Sequence, residues 1–422
     1  MNLPMKRLKS SGLQIFVLAT LFVLTSSVLP VAVTKSDKTK SSDTAPLTVI
    51  SEQAIAVYKT QQQALQDALT DYFEKAIASG DLVGAGVSIV KGDSVIISNG
   101  FGKRHVKRKD AVDGQTVFRL GSLSKGFAGV LAANLKCDDQ LDWTDKVSDY
   151  LPEFQFGNHH TTHQITLAHL LSQTSGAPYH SYTNLIEAGL SLKDIAGRFK
   201  NVTPISKPGA LYSYQNAMFA LSGEVMQQVA GRDINTLLQE TFFKPLKMDH
   251  ISMDYEALAQ ETNVALPHSK RRYGWNPLTL NNHYYNAVAA GGINASADDM
   301  GKWMRLLLGR HPEIMDKTAI QEAFNPFIQI KGHGKYYQRW PGHVSSYYGF
   351  GWRIHKFKEQ QTEKTMLHHG GSVNDYRNEM AVFPESDLGI CVLMNSNTKL
   401  ASTVIPDLYK IVRTILNDSY KG

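Results

Sequence analysis

From Ser51 to Ala78 the apolar positions Ala54, Val57, Tyr58, Leu65, Leu69, Tyr72 and Phe73 fall on one side of a helix. Leu82–Val90 and Val95–Phe101 are β-rich runs joined by Lys91-Gly92-Asp93, which predicts a hairpin. A helix opens near Gly121-Ser122. Residues 140–285 read as mainly helical with loops, including Leu167–Leu171 and Ala217–Val229, and Ala297–Leu308 is a further helix after Gly291-Gly292. From Tyr348 the pattern turns to strands: Gly349–Lys356, Lys364–His369, Asn378–Pro384 and Gly389–Asn395. A last amphipathic helix carries Val404, Ile405, Leu408, Ile411, Val412 and Ile415. Strands near both ends of the chain flank a helical middle. That order predicts an α/β (α+β) fold: an antiparallel sheet built from the N- and C-terminal segments, flanked by helices, with an all-helical insertion. The body, 51–422, divides into a sandwich part (about 51–140 and 286–422) and a helical part (about 141–285).

The first 34 residues have a different pattern. Lys6, Arg7 and Lys9 precede an apolar run from Leu13 to Val33, about the length that spans a bilayer, with its densest part short enough for a signal-peptide core. Residues 1–34 therefore read as a signal peptide or an N-terminal membrane anchor, with a possible membrane tether through residues 13–34. Either places the body outside the cytoplasm: periplasmic, secreted or membrane-anchored. Residues 35–50, rich in Lys, Ser, Thr and Asp, read as a linker. Of the formal net charge of +6, residues 1–40 supply +5, which leaves +1 for the rest. A nearly neutral body lacks the basic footprint of nucleic-acid binding. The basic stretch Lys103–Lys109 reads as a solvated strand or turn. Cys137 and Cys391, far apart in sequence, form no metal or redox motif and read as buried thiols rather than a pair.

Candidate chemistry lies in three short motifs. In Ser122-Leu123-Ser124-Lys125 a helix would bring Ser122 and Lys125 onto one face. A serine hydroxyl needs a base to become a nucleophile, and a lysine serves once burial lowers its pKa. Leu123, Phe127, Val130 and Leu131 support the helix, with Gly126 and Gly129 leaving space around the Ser/Lys face. The other Ser-x-x-Lys, Ser88 to Lys91, lies in a strand, where the two side chains point apart. From the motif alone, Ser122 as a helix cap is the commoner role. Tyr-x-Asn occurs at Tyr182, Tyr214, Tyr284 and Tyr376, and only Tyr214 follows a Pro-Gly turn leading straight into a helix. There a phenol could relay a proton if a nearby ammonium lowered its pKa, and Asn216 could hold both the lysine and a substrate carbonyl. A packed ring with a bonded hydroxyl is the bland alternative. In His369-Gly370-Gly371 the glycines would let a substrate backbone lie against a strand edge. The Ser372 N–H could join that of Ser122 as an oxyanion hole.

With these motifs in this order, the chain resembles the class C β-lactamase-like serine hydrolases, which include penicillin-binding DD-peptidases and esterases. The resemblance runs from about Gln62 to Leu416. It is carried by Phe118–Lys125, Ile165–Gly176, Pro208–Asn216, Gly291–Met300, Tyr348–Trp352 and His368–Gly371. It implies an antiparallel sheet flanked by helices with the site against an all-helical region. It also implies Ser122, Lys125 and Tyr214 as catalytic residues, and Asn216, His369, Gly370, Gly371 and Ser372 as substrate-binding. Class C β-lactamases carry Lys-Thr-Gly where this chain has His-Gly-Gly, so the resemblance favours peptidase or esterase action on an amide or ester over strong β-lactam hydrolysis. A true β-lactamase, or a penicillin- or peptidoglycan-binding module with little turnover, are the alternatives. Arg377 could bind an anionic substrate end, or pair with Asp375 or Glu379. The partner is a small-molecule or peptide substrate, possibly peptidoglycan-derived or a β-lactam. The mechanism needs no cofactor and no metal, and His159, His160 and His163 lack acidic or cysteine partners for ligation.

Overall fold

A computed structural model describes residues 52–416; the expected signal or anchor segment and the linker lie outside them. Eight strands form one antiparallel sheet: β1 (Gly84–Lys91), β2 (Ser94–Gly102), β3 (Ile328–Gln329), β4 (His343–Tyr348), β5 (Arg353–Glu359), β6 (Thr362–Val373), β7 (Tyr376–Phe383) and β8 (Leu388–Met394). Their spatial order is β2-β1-β8-β7-β6-β5-β4-β3. The central pairing of β1 with β8, from Ala85 opposite Met394 to Lys91 opposite Leu388, joins the N- and C-terminal segments into one sheet. The antiparallel sheet with flanking helices expected from the hydrophobic pattern is thus the observed fold class. Val87, Ile89, Ile390 and Val392 are fully buried, because helices cover both faces.

One face packs against α1 (Glu52–Ala78) and the C-terminal helix, with Leu65, Leu69, Phe73, Val404, Ile405 and Leu408 in a shared core. The other packs against α4 (Ala297–Leu307), whose core α2 (Ser124–Cys137) and α3 (Asn216–Ala230) share through Phe127, Leu131, Phe219, Met300 and Trp303. Ser296 and Asp299 form a capping box at the start of α4.

Four local expectations change. Gly349–Trp352 is not strand but the connection between β4 and β5. Its Gly351 takes φ +81, which a strand residue does not, and the segment packs on α2. The glycines of α2 accordingly do not open the Ser/Lys face: a Cβ at Gly126 would lie 2.6 Å from Trp352, and one at Gly129 would lie 1.9 Å from the Phe350 carbonyl oxygen. They are small so that this connection can approach. The middle region also contains a hairpin, His268–Arg271 with Gly274–Pro277, among its helices. Of the two cysteines, both free, Cys391 is buried and Cys137 is exposed.

Candidate active site

Ser122 does not cap α2. It lies on a single 3₁₀ turn, Gly121–Leu123, immediately ahead of the helix, and neither terminus receives a side-chain cap. Gly121 sits at φ +56, and a Cβ there would lie 2.9–3.0 Å from the backbone of Ser372. Glycine therefore lets the turn rest on the end of β6, which sets Ser122 beside the third-motif strand.

The distant motifs meet at the Ser122 hydroxyl. Tyr214 Oη donates to Ser122 Oγ at 2.7 Å, and Lys125 Nζ lies 3.2 Å from the same oxygen. Lys125 is fully buried and gives hydrogen bonds to Asn216 Oδ1 at 2.8 Å and to the Ala290 carbonyl at 2.7 Å. Its Nζ stands over the Tyr214 and Phe219 rings at 4.9 and 5.3 Å. Asn216, the first residue of α3, donates through Nδ2 to Tyr284 Oη at 3.0 Å. Of the four Tyr-x-Asn tyrosines, two are thus at this cluster. Tyr182 and Tyr376 instead bond backbone carbonyls of Arg198 and Ala265.

The remaining segments brace these groups. Gln173 accepts from the Gln215 N–H at 2.6 Å, and its carbonyl from the Ser213 N–H at 2.9 Å, which fixes the strand-like approach to Tyr214. Ile293 N–H donates to Ser124 Oγ at 3.1 Å, holding the Gly291–Met300 segment behind α2. Within His369-Gly370-Gly371, the His369 ring is fully buried, with Nε2 3.0 Å from Tyr348 Oη and Nδ1 2.8 Å from the Gly370 carbonyl. Gly371 passes so close to Leu120 that a Cβ would meet its carbonyl oxygen at 2.1 Å, while Ser372 is exposed.

Burial sets the electrostatics. It pushes the Lys125 ammonium well below its ordinary range, helped by the positive charge of Arg353. The amine form has two N–H groups, matched by Asn216 Oδ1 and the Ala290 carbonyl, and one lone pair left to face Ser122. Burial also pushes the Tyr214 phenol up to about 12, against the opposing pull of Arg353 and the Ser122 hydrogen bond. The lowering that a nearby ammonium could have given the phenol is not found: burial outweighs the cations, and Tyr214 stays a proton donor. His369 is held neutral by burial, with Arg353 and Lys125 adding to it.

Arg353, at the start of β5, was not singled out by its sequence context. Its Nε and Nη1 are buried without a hydrogen-bond partner, and its guanidinium stands 5.1 Å from the Tyr337 ring centroid. The other candidate cation, Arg377, pairs at 3.5 Å with Glu379 Oε1. His159, His163 and their neighbours lie on an exposed helical turn, with the two Nε2 atoms 2.9 Å apart.

The Beta-lactamase family model matches residues 69–410, which takes in every one of these segments. The chain belongs to the Beta-lactamase family. It is a serine hydrolase of that family. Among its relatives, protein flp of Staphylococcus aureus is 23% identical over 368 residues, covering 83% of this chain and 69% of that protein. The unguisins hydrolase ungD' of Aspergillus campestris is 24% identical over 330 residues, covering 76% and 59%. Two solved structures share the Beta-lactamase-family fold. The octameric penicillin-binding protein homologue from Pyrococcus abyssi has a TM-score of 0.69 at 21% identity and covers 82% of this chain and 77% of its own. EstCE1, a hydrolase with promiscuous acyltransferase activity, has a TM-score of 0.70 at 20% identity and covers 84% and 98%.

Proposed function

We propose that this protein is an exported serine hydrolase that forms an acyl-enzyme on Ser122 from an ester or amide bearing an anionic end. One observation carries the reading: Ser122 Oγ accepts from the Tyr214 hydroxyl while facing a buried Lys125 whose two N–H groups already have acceptors. In acylation Lys125 takes the Ser122 proton as Oγ attacks the carbonyl carbon. The oxyanion that develops is received by the N–H groups of Ser122 and Ser372. Tyr214 then gives its proton to the departing oxygen or nitrogen and recovers one from the Lys125 ammonium. Water repeats the sequence on the acyl-enzyme, with Lys125 as the base.

The anionic end follows from charge. In place of the Lys and Thr of Lys-Thr-Gly stand a neutral His369 and a bare Gly370, yet the partly buried Arg353 nearby keeps its Nε and Nη1 out of water without a hydrogen-bond partner. Buried N–H groups of a cation left without acceptors are costly unless a ligand supplies them, and a carboxylate matches the guanidinium fork. Export rests on the apolar run 13–33 behind Lys6, Arg7 and Lys9. Among the described residues no helix is long and apolar enough to cross a membrane.

The test is a labelling and turnover panel on purified protein. A fluorophosphonate should label wild type and not Ser122→Ala, with both variants folded alike by circular dichroism. A p-nitrophenyl ester, a peptide ending in D-Ala-D-Ala and nitrocefin then report the acyl donor. Labelling of Ser122→Ala, or unchanged turnover in it, defeats the assignment. Rapid nitrocefin hydrolysis shifts the reading to a β-lactamase.

A further inference from the structure

A line of polar side chains crosses four neighbouring strands of the sheet and is not used by the reaction as described. His343 Nε2 is 2.7 Å from Ser346 Oγ, which is 2.8 Å from His355 Nδ1. His355 Nε2 is 3.2 Å from His368 Nδ1, and His368 Nε2 is 2.7 Å from Glu379 Oε2. Tyr336 Oη donates to both Glu379 oxygens, at 2.9 and 2.8 Å, and Arg377 stands 3.5 Å from one of them. Ser346, His355, His368 and Glu379 are all buried.

The line has a direction. Burial keeps His343, His355 and His368 neutral. With Glu379 ionised, every link then has one donor and one acceptor: His343 to Ser346, Ser346 to His355, His355 to His368, His368 to Glu379. Both carboxylate oxygens are thereby committed.

That commitment matters because of Arg353. In the β5–β6 register Arg353 lies directly opposite His368, and His368 is followed two residues on by Gly370, which is opposite Glu379. Arg353 acts electrostatically on Glu379 yet does not bond it. A partly buried guanidinium beside a buried carboxylate would ordinarily close into a bidentate pair. The glycine at 370 is part of the arrangement: a Cβ there would lie 2.8 Å from Tyr336 Oη and 2.9 Å from both Glu379 oxygens. The bare centre of His-Gly-Gly is what admits the Tyr336–Glu379 contact.

We propose that Tyr336 and His368 are positioning residues that hold Glu379 away from Arg353, so that the guanidinium stays open for the anionic end of the substrate. The proposal rests on the reading of Arg353 given above. His355, Ser346 and His343 fix the His368 ring from behind, and Gly370 keeps the Tyr336 side clear. Release either donor, and Glu379 is free to turn onto Arg353 and compete with the substrate.

At pH 8, where Glu379 is ionised, the experiment compares two p-nitrophenyl esters of similar length, one with a carboxylate at the end of its acyl chain and one with a methyl. Tyr336→Phe removes only the donor hydroxyl and keeps the ring that packs against Tyr337 and Trp340, and His368→Gln is the second variant. Each is made alone and with Glu379→Gln. The expected result for each single variant is a KM raised about tenfold for the carboxylated ester, with a smaller change in kcat and little change for the neutral ester. Adding Glu379→Gln should return that KM to near the wild-type value. Losses shared by both esters and not reversed by Glu379→Gln would mean a packing role and overturn the proposal. Arg353→Gln separates the two layers. If it leaves discrimination between the esters intact, the anion reading itself fails. If it abolishes discrimination while Tyr336→Phe and His368→Gln leave it untouched, only the positioning claim falls.

Discussion

Lys125 Nζ lies 3.2 Å from Ser122 Oγ, and both of the hydrogens it would carry as an amine point elsewhere, to Asn216 and to the Ala290 carbonyl. The geometry thus suits a base more than a cation. It depends on the acceptor at Asn216 being neutral, because a charged acceptor would stabilise the ammonium.

Asn216→Asp tests that dependence. A carboxylate 2.8 Å from Nζ favours the charged form of Lys125 and raises its pKa. At pH 7 less of the enzyme then holds a free amine. The expected outcome is a kcat/KM lower by about 10²-fold at pH 7, partly recovered at pH 9 to 10, with a fold unchanged by circular dichroism. Loss of equal size at all pH values would point to the Tyr284 contact instead.

The wild-type pH–rate profile has a predicted shape. Lys125 works when deprotonated, and burial has moved its pKa well below the ordinary lysine range. Activity therefore rises with pH through that lowered value and then levels. Tyr214 works when protonated, and burial holds its proton up to about 12. No alkaline fall should appear below about pH 10 that is not also seen in stability. An alkaline limb near neutrality would mean that Tyr214 acts as phenolate.

Gly129→Ala probes the contact between α2 and the β4–β5 connection. The added Cβ would meet the Phe350 carbonyl oxygen at 1.9 Å, and a backbone atom cannot swing aside as a side-chain tip can. Overpacking of this kind costs roughly 1–3 kcal/mol, read as a lowered Tm. Because the same helix carries Lys125, kcat should fall as well. A Tm unchanged within error would show that the connection yields freely.

The sheet was legible in the sequence because strands β1 and β8 are near-continuous apolar runs, Gly84–Lys91 and Leu388–Met394, with turn signals beside them. Segment order gave the meeting of Ser122, Lys125 and Tyr214 in space, although three of the four Tyr-x-Asn tyrosines were competitors by spacing alone. Tyr284 turned out to stand at the cluster too, bonded to Asn216. Gly349–Trp352 misled because its aromatics mimic a strand, while the left-handed Gly351 within it carries no apolar signal. Arg353 was invisible for a different reason. An arginine at a strand start is usually solvated, and only long-range packing reveals that its Nε and Nη1 are buried and unmatched. The same holds for Glu379 and His368, whose partners come from other strands.

Glu379 makes the last prediction, on stability rather than rate. Burial lifts its carboxyl from the ordinary 4.5 to about 7, against the pull of Arg377, Tyr336 and Arg353. The folded state therefore holds this proton more tightly than the unfolded chain. The resulting stabilisation is fully present below about pH 4.5 and is lost as pH rises through 7. Between pH 5 and 7.5 this one group should remove roughly 2 kcal/mol of stability. Glu379→Gln, which cannot titrate and keeps an oxygen for Tyr336, should flatten that slope in urea unfolding measured at the two pH values. Were the variant to lose stability across the range exactly as wild type does, the carboxyl would be ionised throughout, and the charge on this side of Arg353 would be fixed at every pH the enzyme meets.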